Sequence, residues 1–467
     1  MSKAKPAIPR GTRDFGPAEM IRRNYIFDTI RRTFRTFGYL PLETPSMENL
    51  SVLMGKYGEE GDRLIFKILN SGDYFSHRGT PVVSPEDVTK GESHFTSLVS
   101  EKALRYDLTV PFARYVVMHR HELTFPFRRY QIQPVWRADS PQKGRYREFY
   151  QCDADVVGTD SLLCEAEIVQ MIREVMERLG LTEYAIKFNN RKVLTGITEV
   201  IGCPGQEAAL CVAIDKLDKI GREGVVRELE SRGFDASAIA QLEPVFQLQG
   251  SLTERIEQLS TLLANSLVGQ QGLDEIREML RYLELSGEVP ATLEFDATLA
   301  RGLSYYTGMI FEVKVTNVQI GSISGGGRYD NLTGVFGLEG VSGVGFSFGV
   351  DRIYDVLETL GLFPDQTHDT TQVLIVNFGA ESEPHALPLL AQLREANVAA
   401  ELYPDAAKIK KQMTYANAKN IPYVVLIGSD EIARREYTLK NMQTGEQQSL
   451  SAAALVQTLA AADSVTA

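Results

Sequence analysis

The sequence has 467 residues, enough for two or three domains with cores of their own. Its 43% apolar and 24% charged residues are typical of a folded globular protein, which argues against a disordered chain. The net charge of −12 disfavours a nonspecific nucleic-acid coat but allows a local basic surface. The N-terminal residues lack the pattern of a signal peptide and no apolar run could span a bilayer, so we expect a cytoplasmic protein with no membrane association.

The first 120 residues predict a basic helix followed by extended and loop segments. Apolar residues recur at helical spacing from Ala18 to Phe37, with five arginines elsewhere on that helix. Residues 39–45 are extended, and their two prolines suit a sheet edge or an interface. Residues 55–94 are rich in glycine and charge, and around IFKILN they predict a hairpin with loops that could cover a site. Residues 104–110, LRYDLTV, are predicted to be extended and to precede a helix over 111–120.

Residues 127–157 predict two strands joined by a loop. The strands cover 130–137 and 145–157, and the loop contains Pro141 and Gly144. Alternation gives the second strand one polar face, which consists of Arg145, Arg147, Gln151, Asp153 and Asp155. Such a face is typical of a solvated edge hairpin. However, six basic residues against one acid between residues 128 and 147 favour a ligand that carries both anionic and cationic groups.

Helices dominate the middle of the chain, and strands return after it. Residues 162–179 form a strong helix, and residues 221–289 contain helical segments with twelve acidic against six basic residues. Strands are predicted over 293–296 and 309–315 and within a glycine-rich zone, 321–349, that leads into a helix over 350–359. After a linker over 361–371, strand and helix alternate as in a small parallel α/β domain.

The glycine-rich zone fails the tests for a nucleotide-binding loop. It has no GxxxxGK followed by Ser or Thr, and its glycines do not form GxGxxG in a turn after a strand. Residues 342–349 instead predict a strand whose small side chains leave room for a flat ligand. Arg352, in the first turn of the next helix, either pairs with Asp351, Asp355 or Glu358 or binds an anionic ligand. The four cysteines and six histidines show no metal-site or triad spacing.

Several motifs together resemble the histidyl-tRNA synthetases of the class II aminoacyl-tRNA synthetases over nearly the whole chain. The first helix with GYLPLETPSME, the hairpin, and GVGFSFGVDR are similar to the three class motifs, the first of which forms the dimer interface in the family. IPRGTRDF, RGLSYYTG and GGGRYDNL are similar to motifs of the histidine enzymes, as are the LRYDLTVPF and FYQCDADVVG forms.

The resemblance implies an α+β fold. Its catalytic core is an antiparallel sheet flanked by helices, formed by residues 1–190 and 290–365. A helical insertion would occupy 191–289, and an α/β anticodon-binding domain would occupy 371–467. The candidate tRNA-binding residues of the last domain, for which solvated helix faces are the alternative, are Lys408, Lys410, Lys411, Arg434 and Arg435.

The resemblance also implies the roles of single residues. Arg137 would hold the α-phosphate of ATP, Arg145 and Arg352 its β and γ end, and Arg301 would approach the α-phosphate from the opposite side. The α-amino group of histidine would meet Asp107, Thr109 and Gln151. The imidazole nitrogens would meet Asp155 and Tyr306, with Tyr305 and Tyr329 near, and Gln142 and Lys143 would meet the acceptor end of the tRNA.

A member of this family forms histidyl-adenylate and pyrophosphate from L-histidine and ATP, then transfers histidine to the terminal ribose of tRNA(His). We therefore expect Mg²⁺ held mainly by ATP, no dedicated metal site, and a homodimer. Ser304 stands where the family usually has an acid, which puts a supporting role near Arg301 in doubt. The alternative is a histidine-sensing regulatory subunit of ATP phosphoribosyltransferase, which shares the core but lacks the last domain and several of the arginines.

Overall fold

A computed structural model describes residues 5–77, 80–214, 216–287, 289–300, 305–364 and 371–464. The chain divides into two units, one formed by Met1–Phe15 with Arg23–Leu362 and the other by Gly16–Arg22 with Phe363–Ala467. Arg301 and Ser304 lie outside the described residues. Among the described residues, no helix has both the length and the apolar character that crossing a membrane requires.

The elements up to residue 190 alternate short strands with helices. The strands are β1 Leu40–Pro41, β2 Met47–Asn49, β3 Lys67–Ile68, β4 Ser76–His77, β5 Thr80–Pro81, β6 Lys102–Leu104, β7 Phe127–Trp136, β8 Glu148–Val157 and β9 Tyr184–Asn190. The helices are α1 Pro17–Thr36, α2 Leu50–Leu53, α3 Gly58–Arg63, α4 Pro85–Thr89, α5 Glu92–Val99, α6 Thr109–Met118 and α7 Leu163–Arg178.

A helical segment and four further strands complete the first unit. The helices are α8 Arg191–Val200, α9 Glu207–Ile214, α10 Leu217–Ser231, α11 Ala236–Gln241, α12 Glu243–Phe246, α13 Leu252–Leu262, α14 Leu267–Leu285 and, after the strands, α15 Val350–Leu360. The strands are β10 Leu293–Phe295, β11 Met309–Val315, β12 Ser324–Tyr329 and β13 Gly343–Gly349, with a 3₁₀ turn at Gly334–Phe336.

The first unit is organised around one eight-stranded sheet. Its strand order is β1-β7-β8-β13-β12-β11-β9-β10, and only the two outermost pairs, β1 with β7 and β9 with β10, are parallel. The predicted α+β class with an antiparallel central sheet is therefore confirmed. β7 and β8 lie inside the sheet rather than at its edge, so the solvated edge hairpin considered from the sequence is excluded.

The two faces of the central sheet are covered in different ways. On one face α1 buries Ile26, Ile30 and Phe34, and the Phe34 ring lies 5.9 Å from Phe346 and 6.1 Å from Phe348 of β13. The periodicity of α1 puts these apolar side chains on one side and its arginines mostly on the other. The opposite sheet face carries polar side chains and glycines, and it forms the site described below.

Three local predictions were wrong. Residues 55–94 do not form a hairpin around IFKILN, because Lys67 and Ile68 pair with Ala103 and Lys102, and the surrounding chain is mostly short helices. The extended segment at 104–110 ends at Leu104, and Thr109 is the first residue of α6, so strand alternation does not align Asp107 with Thr109. Arg145 and Arg147 precede β8 and belong to the hairpin loop.

The second unit contains a mixed sheet rather than the predicted parallel one. Its order is β15-β14-β16-β17-β18, parallel in the first three strands and antiparallel in the last two, which the sequence prediction missed. Its strands are β14 Val373–Ile375, β15 Ala400–Leu402, β16 Tyr423–Leu426, β17 Tyr437–Asn441 and β18 Gln447–Leu450; its helices after residue 363 are α16 Glu383–Glu395, α17 Ile409–Ala418, α18 Ser429–Arg434 and α19 Ala452–Ser464.

Candidate functional site

A cavity of about 550 Å³ opens over the polar face of the central sheet. Strands β8, β11, β12 and β13 form its floor, and the segment before α6 and the β7–β8 loop contribute its walls. It is lined by every site residue predicted from the sequence that the structure describes, namely Asp107, Thr109, Arg137, Gln142, Lys143, Arg145, Gln151, Asp155, Tyr305, Tyr306, Tyr329 and Arg352. The remaining predicted residue, Arg301, lies outside the described residues.

Glycines on β12 and β13 make the floor flat next to the polar strands. Gly345 pairs with Asp155 across the sheet, and a Cβ atom on Gly345 would overlap the Asp155 carboxylate and lie 2.8 Å from the Ala154 carbonyl oxygen. Only glycine lets Asp155 turn its carboxylate over the neighbouring strand. In the small-residue strand predicted at 342–349, Gly345 therefore makes room for the Asp155 carboxylate.

Asp155 stands at one end of the cavity in a buried network. The Tyr329 hydroxyl donates to its Oδ1 at 2.7 Å, and Arg129 Nη2 lies 2.9 Å from its Oδ2 as an ion pair without hydrogen-bond alignment. Arg129 is itself buried and lies over the Phe112 ring at 4.2 Å. Burial raises the pKa of Asp155, while Arg129 and the Tyr329 hydrogen bond act to lower it.

Asp107 forms a second buried acidic group in the wall. Its Oδ1 accepts from the Tyr57 hydroxyl at 2.9 Å and from the Val110 amide at 3.1 Å, and its Oδ2 accepts from the Tyr305 hydroxyl at 3.3 Å. Burial raises the pKa of Asp107, and it also raises the pKa of Tyr305 and of Tyr306, so both phenols keep their protons at neutral pH. No pattern in the sequence pointed to Tyr57.

The opposite part of the cavity is basic, and its guanidinium groups are held by carbonyl oxygens. Arg137 donates from Nε to the Tyr106 carbonyl at 3.0 Å and lies between the rings of Tyr106 and Phe149, at 4.3 and 5.2 Å. Arg352 donates from Nε to the Gly144 carbonyl at 2.8 Å and from Nη1 to the Ser322 carbonyl at 2.6 Å. Carbonyl partners orient a guanidinium without neutralising its charge.

The hairpin loop carries the more exposed predicted residues. Gln142 and Arg145 exchange two backbone hydrogen bonds of 3.1 and 2.9 Å, which close the loop tip. The Arg145 side chain is 43% exposed and lies 3.7 Å from Asp139, a separation at which the pair contributes little. Arg145 can therefore turn toward a ligand at small cost.

Arg147, for which the sequence indicated no clear role, fastens this loop. Its Nε donates to the Asp139 carbonyl at 3.1 Å, and its amide donates to the Gly11 carbonyl at 2.8 Å. Gly11 has φ +88°, and a Cβ atom there would lie 2.8 Å from Pro141 Cγ and 2.9 Å from Arg147 Cγ. The glycine of IPRGTRDF is thus required for the N-terminal segment to lie against the hairpin loop.

Asp351 is bound by arginines other than its neighbour Arg352. Arg13 and Arg23 both form ion pairs with its Oδ1, the latter at 2.6 Å, and its Oδ2 accepts from the Tyr150 amide at 3.0 Å. This arrangement joins the N-terminal residues to the start of α15 and to β8.

The GGGRYDNL motif supports the site from behind. Arg328 bonds both carboxylate oxygens of Glu165 on α7, at 2.5 and 2.8 Å. Asp330 accepts from the hydroxyls of Thr307 and Ser342, each at 2.7 Å. Arg328 and Asp330 of the motif therefore tie the segment that carries Tyr305 and Tyr306 to β13, while Gly325, Gly326 and Tyr329 of the same motif line the cavity.

The arrangement has two chemically different ends. Buried carboxylates and neutral phenols suit a ligand with an ammonium group and ring nitrogens, whereas fixed guanidinium groups suit phosphate oxygens. One continuous cavity joins them. Such a site can hold a small cationic molecule next to a polyphosphate and bring the two together for reaction.

Comparison with known proteins agrees with this geometry. A family model described as histidyl-tRNA synthetase matches residues 100–353, and one described as anticodon binding domain matches residues 372–462. A histidine–tRNA ligase from Cytophaga hutchinsonii is 58% identical over 443 residues, covering 95% of this chain and 97% of that protein. Another, from Phocaeicola vulgatus, is 58% identical over 444 residues, covering 95% and 96%.

A solved structure extends the likeness to three dimensions. The crystal structure of histidyl-tRNA synthetase from Nostoc sp. PCC 7120 matches with a TM-score of 0.81 at 32% identity, covering 98% of this chain and 99% of that one. The two family models, the curated relatives and the solved structure thus all indicate the same family. The chain belongs to the histidyl-tRNA synthetase family.

Proposed function

We propose that the cavity holds L-histidine at its acidic end and ATP at its basic end, and that the two react there. The chain is a histidine–tRNA ligase, an enzyme that activates histidine and joins it to tRNA. The observation that carries the proposed site is that all twelve described site residues, drawn from five separate segments of the chain, line one cavity. A purely regulatory, histidine-sensing role would require neither the fixed arginines nor the domain at residues 372–462.

Histidine would be recognised through both of its polar ends. We assign the imidazole nitrogens to Asp155 and Tyr306, with Tyr329 holding the Asp155 carboxylate in place. The α-ammonium group would meet Asp107, Thr109 and Gln151, and Tyr305 would orient Asp107. A site built to satisfy such groups rejects amino acids that lack them by factors of roughly 10⁴ or more, because its buried polar groups would otherwise stay unpaired.

ATP would be held by arginines along the other half of the cavity. We assign the α-phosphate to Arg137 and the β and γ phosphates to Arg145 and Arg352, with Arg301 facing the α-phosphate from the opposite side. The histidine carboxylate would attack the α-phosphorus in line, and pyrophosphate would leave. The terminal ribose hydroxyl of tRNA would then attack the acyl carbon and release AMP. Catalysis would consist of orientation and neutralisation of phosphate charge, with no dedicated general base.

We propose Mg²⁺ as the ion that accompanies ATP. Among the described residues, no group of three or more His, Cys, Asp or Glu side chains could hold a metal ion. Glu312 is a carboxylate that lines the cavity, and its side chain accepts from the Ser322 hydroxyl and lies 3.6 Å from Lys314. This donor set fits an ion that keeps most of its ligands from water and phosphate, for which Mg²⁺ is suited.

For tRNA, we assign the acceptor end to Gln142 and Lys143 in the hairpin loop and the anticodon to the domain from residue 371. We divide the remainder into catalytic residues 1–190 and 290–365 and a helical insertion at 191–289. We further propose a cytoplasmic homodimer, for which β1 is the candidate contact: it is a sheet-edge strand, and its Leu40 is 59% exposed.

The proposal is tested by charging tRNA(His) with labelled histidine in the presence of ATP and Mg²⁺. We expect charging that depends on all components, and a Lys143→Ala variant should raise the KM for tRNA while leaving the KM for ATP unchanged. Lys67→Ala, which removes a partly buried lysine outside the cavity, is the matched control. Absence of charging by the wild-type protein would overturn the proposed function.

A further inference from the structure

Asp153 is a cavity residue with no role in the assignment above. It lies on β8 between Gln151 and Asp155, on the same sheet face as both, opposite Gln131 of β7 and Ser347 of β13. It lines the cavity, yet only 2% of its surface is exposed to solvent. A carboxylate in that position must be compensated by a nearby donor or cation.

The donors around Asp153 satisfy it only in part, through a hydrogen bond with the Ser347 side chain. Within the described residues, its Oδ1 atom is buried and has no hydrogen-bond partner. Asp107 differs, because its two oxygens accept three hydrogen bonds, and Asp155 differs, because Tyr329 and Arg129 engage its two oxygens. Asp153 and Asp155 therefore each keep one buried oxygen without a hydrogen-bond partner among the described residues, but that oxygen of Asp155 lies 2.9 Å from Arg129 Nη2, whereas the described residues form no ion pair with Asp153.

A second acceptor without a partner lies beside it. Gln151 donates from Nε2 to the Ser347 hydroxyl at 2.9 Å, but its Oε1 is buried and has no partner in the described part of the chain. Gln151 and Asp153 are two residues apart on one strand face, so their Cα atoms are about 6.6 Å apart. An ammonium group carries three donors and no acceptor, so it can satisfy both atoms at once.

The charges at this end of the cavity also require a cation. Three buried carboxylates, those of Asp107, Asp153 and Asp155, lie with two buried guanidinium groups, those of Arg129 and Arg105, and Arg105 already donates to the Pro134 and Thr44 carbonyl oxygens. The charged and titratable groups that interact electrostatically with Asp153 are Arg129 on β7, Cys152 and Asp155 on β8, Asp107 before α6, Arg105 after β6, and Tyr306 before β11. The net charge next to Asp153 is therefore negative, and a bound cation would neutralise it.

We propose that Asp153 is a further positioning residue that holds the α-ammonium group of histidine together with Gln151 and Asp107. This inference rests on the proposed function. In the free protein, burial raises the pKa of Asp153 to about 7, and the neutral acid can donate a hydrogen bond to a neighbouring acceptor. When the ammonium binds, the acid releases its proton to solvent and the carboxylate accepts from the ligand instead.

The test compares two histidine analogues that differ at one end. Histidinol keeps the ammonium and the imidazole and has a hydroxymethyl group in place of the carboxylate, whereas 3-(imidazol-4-yl)propionate keeps the imidazole and the carboxylate and lacks the ammonium. Their inhibition constants against histidine are measured for the wild-type protein and for Asp153→Asn. We expect Asp153→Asn to raise the inhibition constant of histidinol at least tenfold and that of imidazolepropionate less than threefold. The KM for ATP should be unchanged. Equal weakening of both analogues, or of neither, would overturn the inference.

A measurement on the wild-type protein alone keeps the inference testable if the variant does not fold. Proton release on binding is measured calorimetrically at pH 6.5 in buffers of different ionisation enthalpy. After subtraction of the protons that each ligand's own imidazole gains or loses on binding, histidinol should release more protons than imidazolepropionate, because only its ammonium displaces the proton of Asp153. Equal release would contradict the inference, while loss of histidine-dependent activity in the wild-type protein would instead contradict the proposed function itself.

Discussion

At the scale of single residues, the site depends on polar groups placed where water does not reach them. Arg129 and Asp155 pair across β7 and β8 in direct register, and both are buried. A buried pair of this kind contributes little net stability, but removing one partner leaves an uncompensated charge. The pair therefore fixes the direction of the Asp155 carboxylate, which is what recognition of a ring nitrogen requires.

Asp155→Asn should raise the KM for histidine by roughly ten- to a hundredfold, the loss expected for one charge-assisted hydrogen bond of about 1.5–3 kcal/mol. The amide keeps the shape of the side chain, so the KM for ATP should stay within twofold. Two-substrate kinetics of adenylate formation measure both constants. Asp160→Asn, at an exposed position beyond β8, is the control, and an unchanged histidine KM in Asp155→Asn would move the imidazole contact elsewhere.

The buried acid Asp153 predicts a pH-dependent cost to stability. Its pKa is raised from 3.8 to about 7 in the folded protein by burial, so between these values the folded state binds a proton that the unfolded state does not. Stability from this group therefore falls as pH rises from about 4 to about 7. Asp153→Asn removes the cost. Urea unfolding should therefore show that the free energy of unfolding of the variant, relative to that of the wild type, increases as pH rises over this range. A constant difference from pH 4 to 8 would contradict the raised pKa.

At the scale of elements, glycines on β12 and β13 and the fastened hairpin loop create the cavity. The strands β8 and β13 pair over seven residues, and this register puts Gly345 opposite Asp155 and Ser347 opposite Asp153. Large side chains at these positions would fill the space over the polar face. The helix α1 packs aromatic and aliphatic side chains against the other face, which keeps the floor rigid.

Gly345→Ala should abolish histidine activation, because the added methyl group overlaps the Asp155 carboxylate and approaches the Ala154 carbonyl to 2.8 Å. We expect a loss of at least a hundredfold in kcat/KM for histidine, measured by adenylate formation. Gly334→Ala is the matched control, since its Cβ would meet Glu339 Cγ at an ordinary 3.7 Å. Similar activity of the two variants would show that the glycine floor is not what positions Asp155.

Long elements were predictable from the sequence, and short ones were not. The strand at 309–315 was predicted with its observed bounds, and the helix predicted at 162–179 was one residue too long at each end. Both were found because their sequences show sustained periodicity. Residues 55–94 failed because Lys67 and Ile68 pair with distant residues 102 and 103, and no local pattern reveals such pairing. The strands β17 and β18 were missed for lack of a clear alternating pattern.

The candidate site was predictable chiefly through motifs. They selected twelve described residues that line the cavity, and their separate segments gave no other sign of meeting in space. Residues that support them were missed, including Tyr57, Arg129 as the partner of Asp155, and Arg147 as the anchor of the loop. These roles depend on distances between remote segments, which composition and spacing do not contain.

At the scale of the whole molecule, histidine activation and anticodon binding are assigned to different units. The first unit contains the cavity, and the second has its own sheet and its own apolar core around Val373, Val425 and Leu455. Basic side chains on the second unit are exposed at Lys408, Lys410 and Lys411 near the start of α17. Lysines at such a surface act on nucleic acid through phosphate charge.

Replacing Lys408, Lys410 and Lys411 by alanine should raise the KM for tRNA at least tenfold and make it less dependent on salt. Each lost phosphate contact lowers the slope of log affinity against log salt by about 0.7–0.9. Histidine-dependent pyrophosphate exchange should stay within twofold. Lys419→Ala is the control. Lys419 already forms an ion pair with Glu401 at 2.9 Å, so its loss should leave the KM for tRNA unchanged. An unchanged tRNA KM would show that these lysines only face solvent.

The central claim, that one cavity joins histidine to ATP, is tested most directly by exchange of labelled pyrophosphate into ATP. The purified wild-type protein is given saturating ATP and Mg²⁺ with each of the twenty common amino acids in turn. We predict exchange with histidine and with none of the others. Only histidine has both an imidazole that can pair with the polar groups at the acidic end and a carboxylate that can react with ATP. Absence of exchange with histidine, or equal exchange with another amino acid, would contradict the account.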